Sequence, residues 1–293
     1  MPKTTAMQAS KLLTDQKQLF DTTAIQCSRI VTKNYSTSFS LGISLISKQH
    51  RNAIYAIYGY VRYADEIVDT FYDQDKATLL AEFRQETYKA IERGISLNPI
   101  ISSFQKVVKQ YGIEVALIDA FLDSMEMDLT GHTYNDTSYN EYIYGSAEVV
   151  GLMCLYVFCS GNKAEYERLK APARSLGAAF QKVNFLRDMK DDFDERGRIY
   201  FPGINFTNFT CADKALIEAE IEKDFADALI GIKQLPIACR KGVYLAYRYY
   251  TKLFKKIKQK EPEVIKNERV RINNFIKLLI LLKSDARYRL NML

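Results

Sequence analysis

Apolar and polar positions alternate at a helical period along most of the chain. Over 49–70, Ile54, Ile57, Tyr58, Val61, Ala64, Ile67 and Val68 recur every three or four residues, the stripe of an amphipathic helix. The same period predicts helices over 20–31, 79–94, 99–111, 114–129, 164–189, 212–232, 242–257 and 270–283. Polar turns, among them 73–75 and 131–139, divide them. The stretch 142–159 differs, because it is apolar or small nearly all round. A helix of that kind belongs in the middle of a fold. Its small residues Gly145, Ser146, Ala147 and Gly151 either let neighbouring helices pack closely or leave a channel for a long apolar substrate. The sequence has no strand pattern, no fixed-period repeat and no linker-like segment. The expected fold is all-α, one domain over 1–293, with 1–20 a peripheral N-terminal extension.

Two of these helices carry an unusual polar stripe. Asp188 and Asp192 lie four residues apart, and so do Asp65 and Asp69. Residues at that spacing share a helix face, and like charges placed so repel on a bare helix. Two such pairs call for cations, and hard oxygen ligands in small number describe Mg²⁺. Arg62 shares the face of Asp65 and Asp69, which also reads as a surface ion pair. Gln181, Asn184, Asp188 and Asp192 form a single stripe on the later helix. Arg196 and Arg198 follow it in a basic turn, suited to diphosphate oxygens that a metal does not reach. The hydroxyl-rich break at 34–40, with Ser36 and Ser38, is either a connector or a further cradle for such oxygens. Tyr244, Tyr247 and Tyr250 recur every three residues, as core packing or as ring faces offered to a cation.

Composition narrows the choice. With 293 residues, 47% of them hydrophobic, and only 13 Gly and 6 Pro, the chain can bury a large helical core. The net charge of +6 gathers toward the C-terminus, from Lys252 to Arg289. That end is a solvated helix face or a contact for an anionic membrane. No nucleic-acid motif or aromatic stacking platform is present. The 5 cysteines have no metal-finger spacing and fit a reducing compartment. With His50 and His132 as the only histidines, a zinc site, a histidine triad or a Glu-x-x-His iron bundle lacks its raw material. The first 26 residues have no signal-peptide core, and the apolar run 276–282 contains Lys277 and falls far short of the ~20 residues of a membrane span. The expected location is the cytoplasm, with peripheral contact on the inner face of the membrane.

Taken in order, three segments resemble the squalene/phytoene synthase family of head-to-head prenyl transferases, and the bacterial phytoene synthases within it. They are Arg62 with Tyr63-Ala64-Asp65-Glu66-Ile67-Val68-Asp69, then Tyr144-Gly145-Ser146-Ala147 with Val150-Gly151, then Asn184-Phe185-Leu186-Arg187-Asp188 to Asp192 with Arg196 to Pro202. The resemblance runs from Ser36-x-Ser38-Phe39 to the final helix. It implies an isoprenoid-synthase helical bundle around a central apolar cavity, Mg²⁺ (with Mn²⁺ as a substitute) and two prenyl diphosphate substrates. Asp65, Asp69, Asp188 and Asp192 then stand as metal and catalytic residues, with Asn184 on the metal and Arg62 as a catalytic diphosphate contact. Ser36, Ser38, Phe39, Tyr144, Val150, Gly151, Gln181, Asn184, Arg187 and Tyr250 stand as substrate contacts. Glu66 replaces a second Asp of many members and keeps a carboxylate there; Tyr35 stands where some relatives have His and is given no role. The modest Leu41 and Ile43 beside the first loop permit a long tail. This favours geranylgeranyl diphosphate and phytoene, formed through a cyclopropyl diphosphate without NADPH. The alternative is farnesyl diphosphate with squalene or dehydrosqualene as product. A non-catalytic relative acting as an assembly partner should have lost ligands, whereas all of these aspartates survive. The oligomeric state is left open.

Overall fold

The computed structural model describes residues 3–130, 134–204 and 208–289, and no strand occurs among them. The first three residues of the turn expected at 131–139, His132 among them, lie outside the described residues. Helix α1 (Lys3–Tyr35) gives way to α2 (Thr37–Ser44) across the single residue Ser36, whose hydroxyl accepts from the Phe39 backbone N–H at 3.2 Å. The hydroxyl-rich break is thus an N-cap, a role serine fills well. Then follow α3 (Lys48–Asp69), α4 (Lys76–Arg93), α5 (Pro99–Tyr111) and α6 (Val115–Thr130). Gly94 and Gly112 end α4 and α5 in the left-handed conformation, with φ of 82° and 68°. The later helices are α7 (Asp136–Ile143), α8 (Val149–Phe158), α9 (Lys163–Arg196), α10 (Cys211–Gln234), α11 (Ile237–Lys258), α12 (Pro262–Asn267) and α13 (Asn274–Arg289).

Helix α9 is the central post and packs against α8, α10 and α11. Helix α3 packs against α8, α1 and α5. Two apolar clusters hold the bundle. In one, Tyr60 stacks on Phe104 with ring centroids 3.8 Å apart and places its hydroxyl 3.1 Å from that of Thr87. In the other, Phe185 stacks on Tyr200 at 4.0 Å.

The structure departs from the sequence pattern at several places, first in α1, which begins at Lys3 where the period predicted a start near residue 20. Asn135 and Ser138 form a capping box, so α7 begins inside the stretch read as a turn. Residues Tyr144–Glu148 form a π turn between α7 and α8 instead of continuing one α-helix. Helix α9 does not stop at Met189. It continues to Arg196, because no breaker intervenes before Gly197 caps it at φ 65°. The predicted final helix starts only at Asn274, after the short α12 and a non-helical stretch at 268–273. Pro172 sits inside α9, where Gly231 of α10 closes on it; a β-carbon on Gly231 would lie 2.5 Å from the proline ring.

Candidate active site

A cavity of about 280 Å³ opens between these helices. Its axis follows α9, where Asn184, Gln181, Phe180, Gly177, Ala173 and Leu169 line it in succession. Apart from the adjacent Gln181 and Phe180, the steps are of three and four, which keep one face of a helix turned inward. From Asn184 to Leu169 the stripe spans about 22 Å at 1.5 Å per residue. Across from it stand Val150, Gly151 and Cys154 of α8, Phe39 and Ile43 of α2, and Tyr250 of α11. Polar groups gather at the Asn184 end, and below Gln181 the walls are apolar apart from Ser146. The small residues of 142–159 divide their labour. Gly151 lines the cavity, while a β-carbon on Gly145 would clash with the Ala120 carbonyl oxygen, so Gly145 serves close packing.

Rings surround the polar end. Phe180 stacks on Tyr250 with centroids 3.8 Å apart, and Phe39 meets both edge-on at 6.3 Å. Tyr250 donates to the Asn184 side-chain oxygen at 3.2 Å. Burial pushes the Tyr250 hydroxyl above the ordinary phenol value, with Arg187 opposing. Burial likewise drives Tyr58 up to about 12, partly offset by Ser36. Both hydroxyls therefore stay protonated and act as donors. A second recess of about 220 Å³ adjoins this end, lined by Ser36, Ser38, Phe39, Arg187 and Tyr250 together with Arg269, Arg271 and Lys277 from the C-terminal segment. Those three cations were read in the sequence only as part of a basic end. Tyr144 does not line the cavity; Arg174 lies over its ring at 5.2 Å.

The acidic pairs meet arginines. Arg62 pairs with Asp65 and Glu66, and its guanidinium lies 4.4 Å from the Tyr35 ring centre. Arg187 holds Asp188 through both carboxylate oxygens, one at 2.9 Å. Arg269 reaches Asp188 at 2.7 Å and Asp191 at 3.5 Å. Arg198 contacts Asp69 at 3.1 Å. Burial alone would lower the Arg187 and Arg198 pKa values, but the neighbouring aspartates more than reverse this and keep both guanidiniums charged. The Arg196 side chain lies outside the described residues.

One acidic residue at this end escaped the sequence reading. Asp128, in the last turn of α6, is buried and faces Arg198 at 3.3 Å. Tyr142 donates to its other oxygen at 2.9 Å. Burial pushes the Asp128 carboxyl up to about 7, with Arg198 pulling it down and Asp69 pushing it up. Asp192 belongs to the same neighbourhood, since its charge raises the hydroxyls of Tyr134 and Tyr200, secondary there to burial. In the sequence Asp128 is one polar position on an ordinary amphipathic helix, with no spacing partner to mark it.

Among the described residues no three carboxylate, histidine or cysteine groups converge as a ready-made metal site. The donor chemistry nevertheless fits a hard divalent cation. Carboxylate and amide oxygens are the side-chain donors, and each acidic motif already faces a positive group.

The squalene/phytoene synthase family model matches residues 32–275. A phytoene synthase of Arthrospira platensis is 28% identical over 286 residues, covering 89% of this chain and 92% of that protein. A 4,4'-diapophytoene synthase of Staphylococcus haemolyticus is 29% identical over 201 residues, 66% of either chain. Among solved structures, a dehydrosqualene synthase in complex with ligand superposes with a TM-score of 0.78 at 20% identity, covering 92% of this chain and 98% of its own. A squalene synthase from Alicyclobacillus acidocaldarius gives 0.69 at 19% identity, over 80% and 93%.

Proposed function

The chain belongs to the squalene/phytoene synthase family, whose members are head-to-head prenyl transferases, and on that premise we propose that it condenses two geranylgeranyl diphosphates to phytoene. The observation that carries this reading is the reach of the cavity. Its lining runs about 22 Å along α9 from Asn184 to Leu169, of which the apolar part below Gln181 is about 18 Å, long enough to lay out a twenty-carbon tail. The kinship with a phytoene synthase over most of both chains points the same way.

Asp65, Asp69, Asp188 and Asp192, with Asn184, would hold Mg²⁺ or Mn²⁺, which when bound neutralises diphosphate oxygens and eases their departure. Arg62 and Arg187 offer planar forks to oxygens of the leaving group. Tyr250 orients the Asn184 amide through their hydrogen bond. Ser36 and Ser38 flank the recess that receives the polar head. The apolar walls keep water from the allylic cation left behind. The double bond of the second molecule attacks that cation, and loss of a proton from the new cation closes the ring to a cyclopropyl diphosphate. A second ionisation, rearrangement and loss of a proton then end at phytoene, with no NADPH.

The product leaves as a hydrocarbon, and the C-terminal end suits an anionic membrane surface. Leu279 and Leu282 of α13 are exposed, as are Lys255 and Lys256 of α11, the helix that α13 packs against. Flotation with anionic vesicles at low salt should carry the protein upward, and no flotation would refute the contact.

The test of function is incubation of pure protein with Mg²⁺ and either geranylgeranyl or farnesyl diphosphate, with and without NADPH, and mass analysis of the extracted hydrocarbon. A forty-carbon product without NADPH is expected. A thirty-carbon product would move the reading to a squalene-type or dehydrosqualene-type synthase, and no product from either substrate would favour a non-catalytic relative.

A further inference from the structure

Arg198 is placed where three helices meet. Its backbone N–H donates to the Asp192 carbonyl of α9 at 2.9 Å. Its Nη1 lies 3.1 Å from Asp69 of α3 and 3.3 Å from Asp128 of α6, and its Nη2 donates to the Asp128 carbonyl at 2.7 Å. The arginine is only 7% exposed and the Asp128 side chain 3%. Tyr142 donates to Asp128 Oδ2, while Oδ1 faces the guanidinium with no hydrogen bond of its own. The guanidinium and the Tyr142 hydroxyl thus flank the Asp128 side chain on either side. Tyr200 lies over Tyr142 at 5.2 Å and against Tyr134 at 5.4 Å, which closes the cluster from water.

A buried ion pair is a poor device for stability, because desolvation offsets much of the attraction. An apolar pair of similar volume would serve the core as well. The pair does something an apolar pair would not: it aims a guanidinium at Asp69 while the same residue's backbone is tied to Asp192. We propose that Arg198, seated on Asp128, is a positioning residue that fixes the Asp69 carboxylate relative to Asp192 and so sets the geometry of the cation site. Asp128 acts only through Arg198. Neither residue lines the cavity, so neither touches the tail. The inference rests on the divalent-cation role given above to Asp69 and Asp192.

The test separates positioning from packing. In the double variant Asp128→Leu/Arg198→Met the ion pair is replaced by apolar groups, and its fold and melting temperature are checked by circular dichroism. Mn²⁺ bound by the full chain with inorganic diphosphate is counted by electron paramagnetic resonance, against the same solution without protein. Loss of an outer support of a metal ligand weakens binding by roughly 10- to 100-fold, and that weakening is expected in a variant that melts at or above the wild-type temperature. A folded double variant that binds Mn²⁺ as the wild type does would overturn the inference. If the double variant does not fold, Asp128→Asn decides. It keeps the shape and an acceptor for Tyr142, and should still raise the Mn²⁺ dissociation constant by about tenfold; an unchanged constant overturns the inference. Wild-type protein that binds no Mn²⁺ above the control would sink the metal reading itself, whereas wild-type binding with indifferent variants sinks only the role of Arg198.

Discussion

Ala173 lies on the cavity wall, on the inward stripe of α9 eleven residues below Asn184. That distance is about 16 Å along the helix. An extended carbon chain advances roughly as an extended backbone does, ~1.2 Å per bond, so a farnesyl spine reaches about 13 Å and a geranylgeranyl spine about 18 Å. With the reacting carbon level with Asn184, a phenyl ring at position 173 falls between the two lengths. Ala173→Phe should therefore leave room for the shorter tail and evict the last isoprene unit of the longer one. Five carbons left unburied at about 0.8 kcal/mol each amount to roughly 4 kcal/mol. In kcat/KM that is close to a thousandfold against geranylgeranyl diphosphate. The assay is steady-state turnover of each substrate by wild type and variant, with melting temperatures as a control, since overpacking costs ~1–3 kcal/mol. Equal losses on the two substrates, or undiminished use of the longer one, would refute the alignment of the tail along α9.

Asp65→Ala or Asp188→Ala should abolish turnover and leave the circular dichroism of the helices unchanged; near-normal activity in either would remove the metal role of these carboxylates. His50 is buried at the start of α3, its ring nitrogens 3.2 Å from the Ser47 and Ser160 hydroxyls. Burial lowers its pKa below the ordinary 6.5, so its contribution is present above that value and is lost as pH falls through it. His50→Gln should flatten the decline of melting temperature as pH falls below 6.5; parallel profiles would count against it. A β-carbon at Gly177 would stand 2.6 Å from the Ala147 carbonyl oxygen. Gly177→Ala is accordingly expected to destabilise the fold by about 1–3 kcal/mol in chemical denaturation, and a neutral result would show that the π turn yields there.

The helices were legible because burial on one face imposes a period on the sequence. The acidic pairs were legible because like charges at a spacing of four demand an explanation on any helix. Other features leave no such mark. The π turn follows apolar residues with no breaker, so its pattern matches that of a continuous helix. The end of α9 lies beyond its apolar stripe, in residues that resemble a turn by composition alone. Asp128 reaches Arg198 across 70 positions of sequence, a pairing that only the folded placement of the turn after α9 against the end of α6 creates. Arg269 escaped for a related reason: a run of basic residues says nothing about which of them folds back onto Asp188. Pro172 by itself argues against a helix through its position, but the apolar period runs on past it, and so does α9.

The π turn at Tyr144–Glu148 also sets an angular phase. Before it, Tyr142 points at Asp128; after it, Val150, Gly151 and Cys154 point into the cavity. Such a bulge holds one residue more than an α turn, and each helical residue carries its side chain round by about 100°. Deleting one residue here need not break the helix. It would redirect every side chain of α8, sending the substrate wall toward α6 or α3. The segment works as a rotary joint whose setting is fixed in residue count, and the cavity tolerates substitutions along α8 far more readily than a change of length just ahead of it.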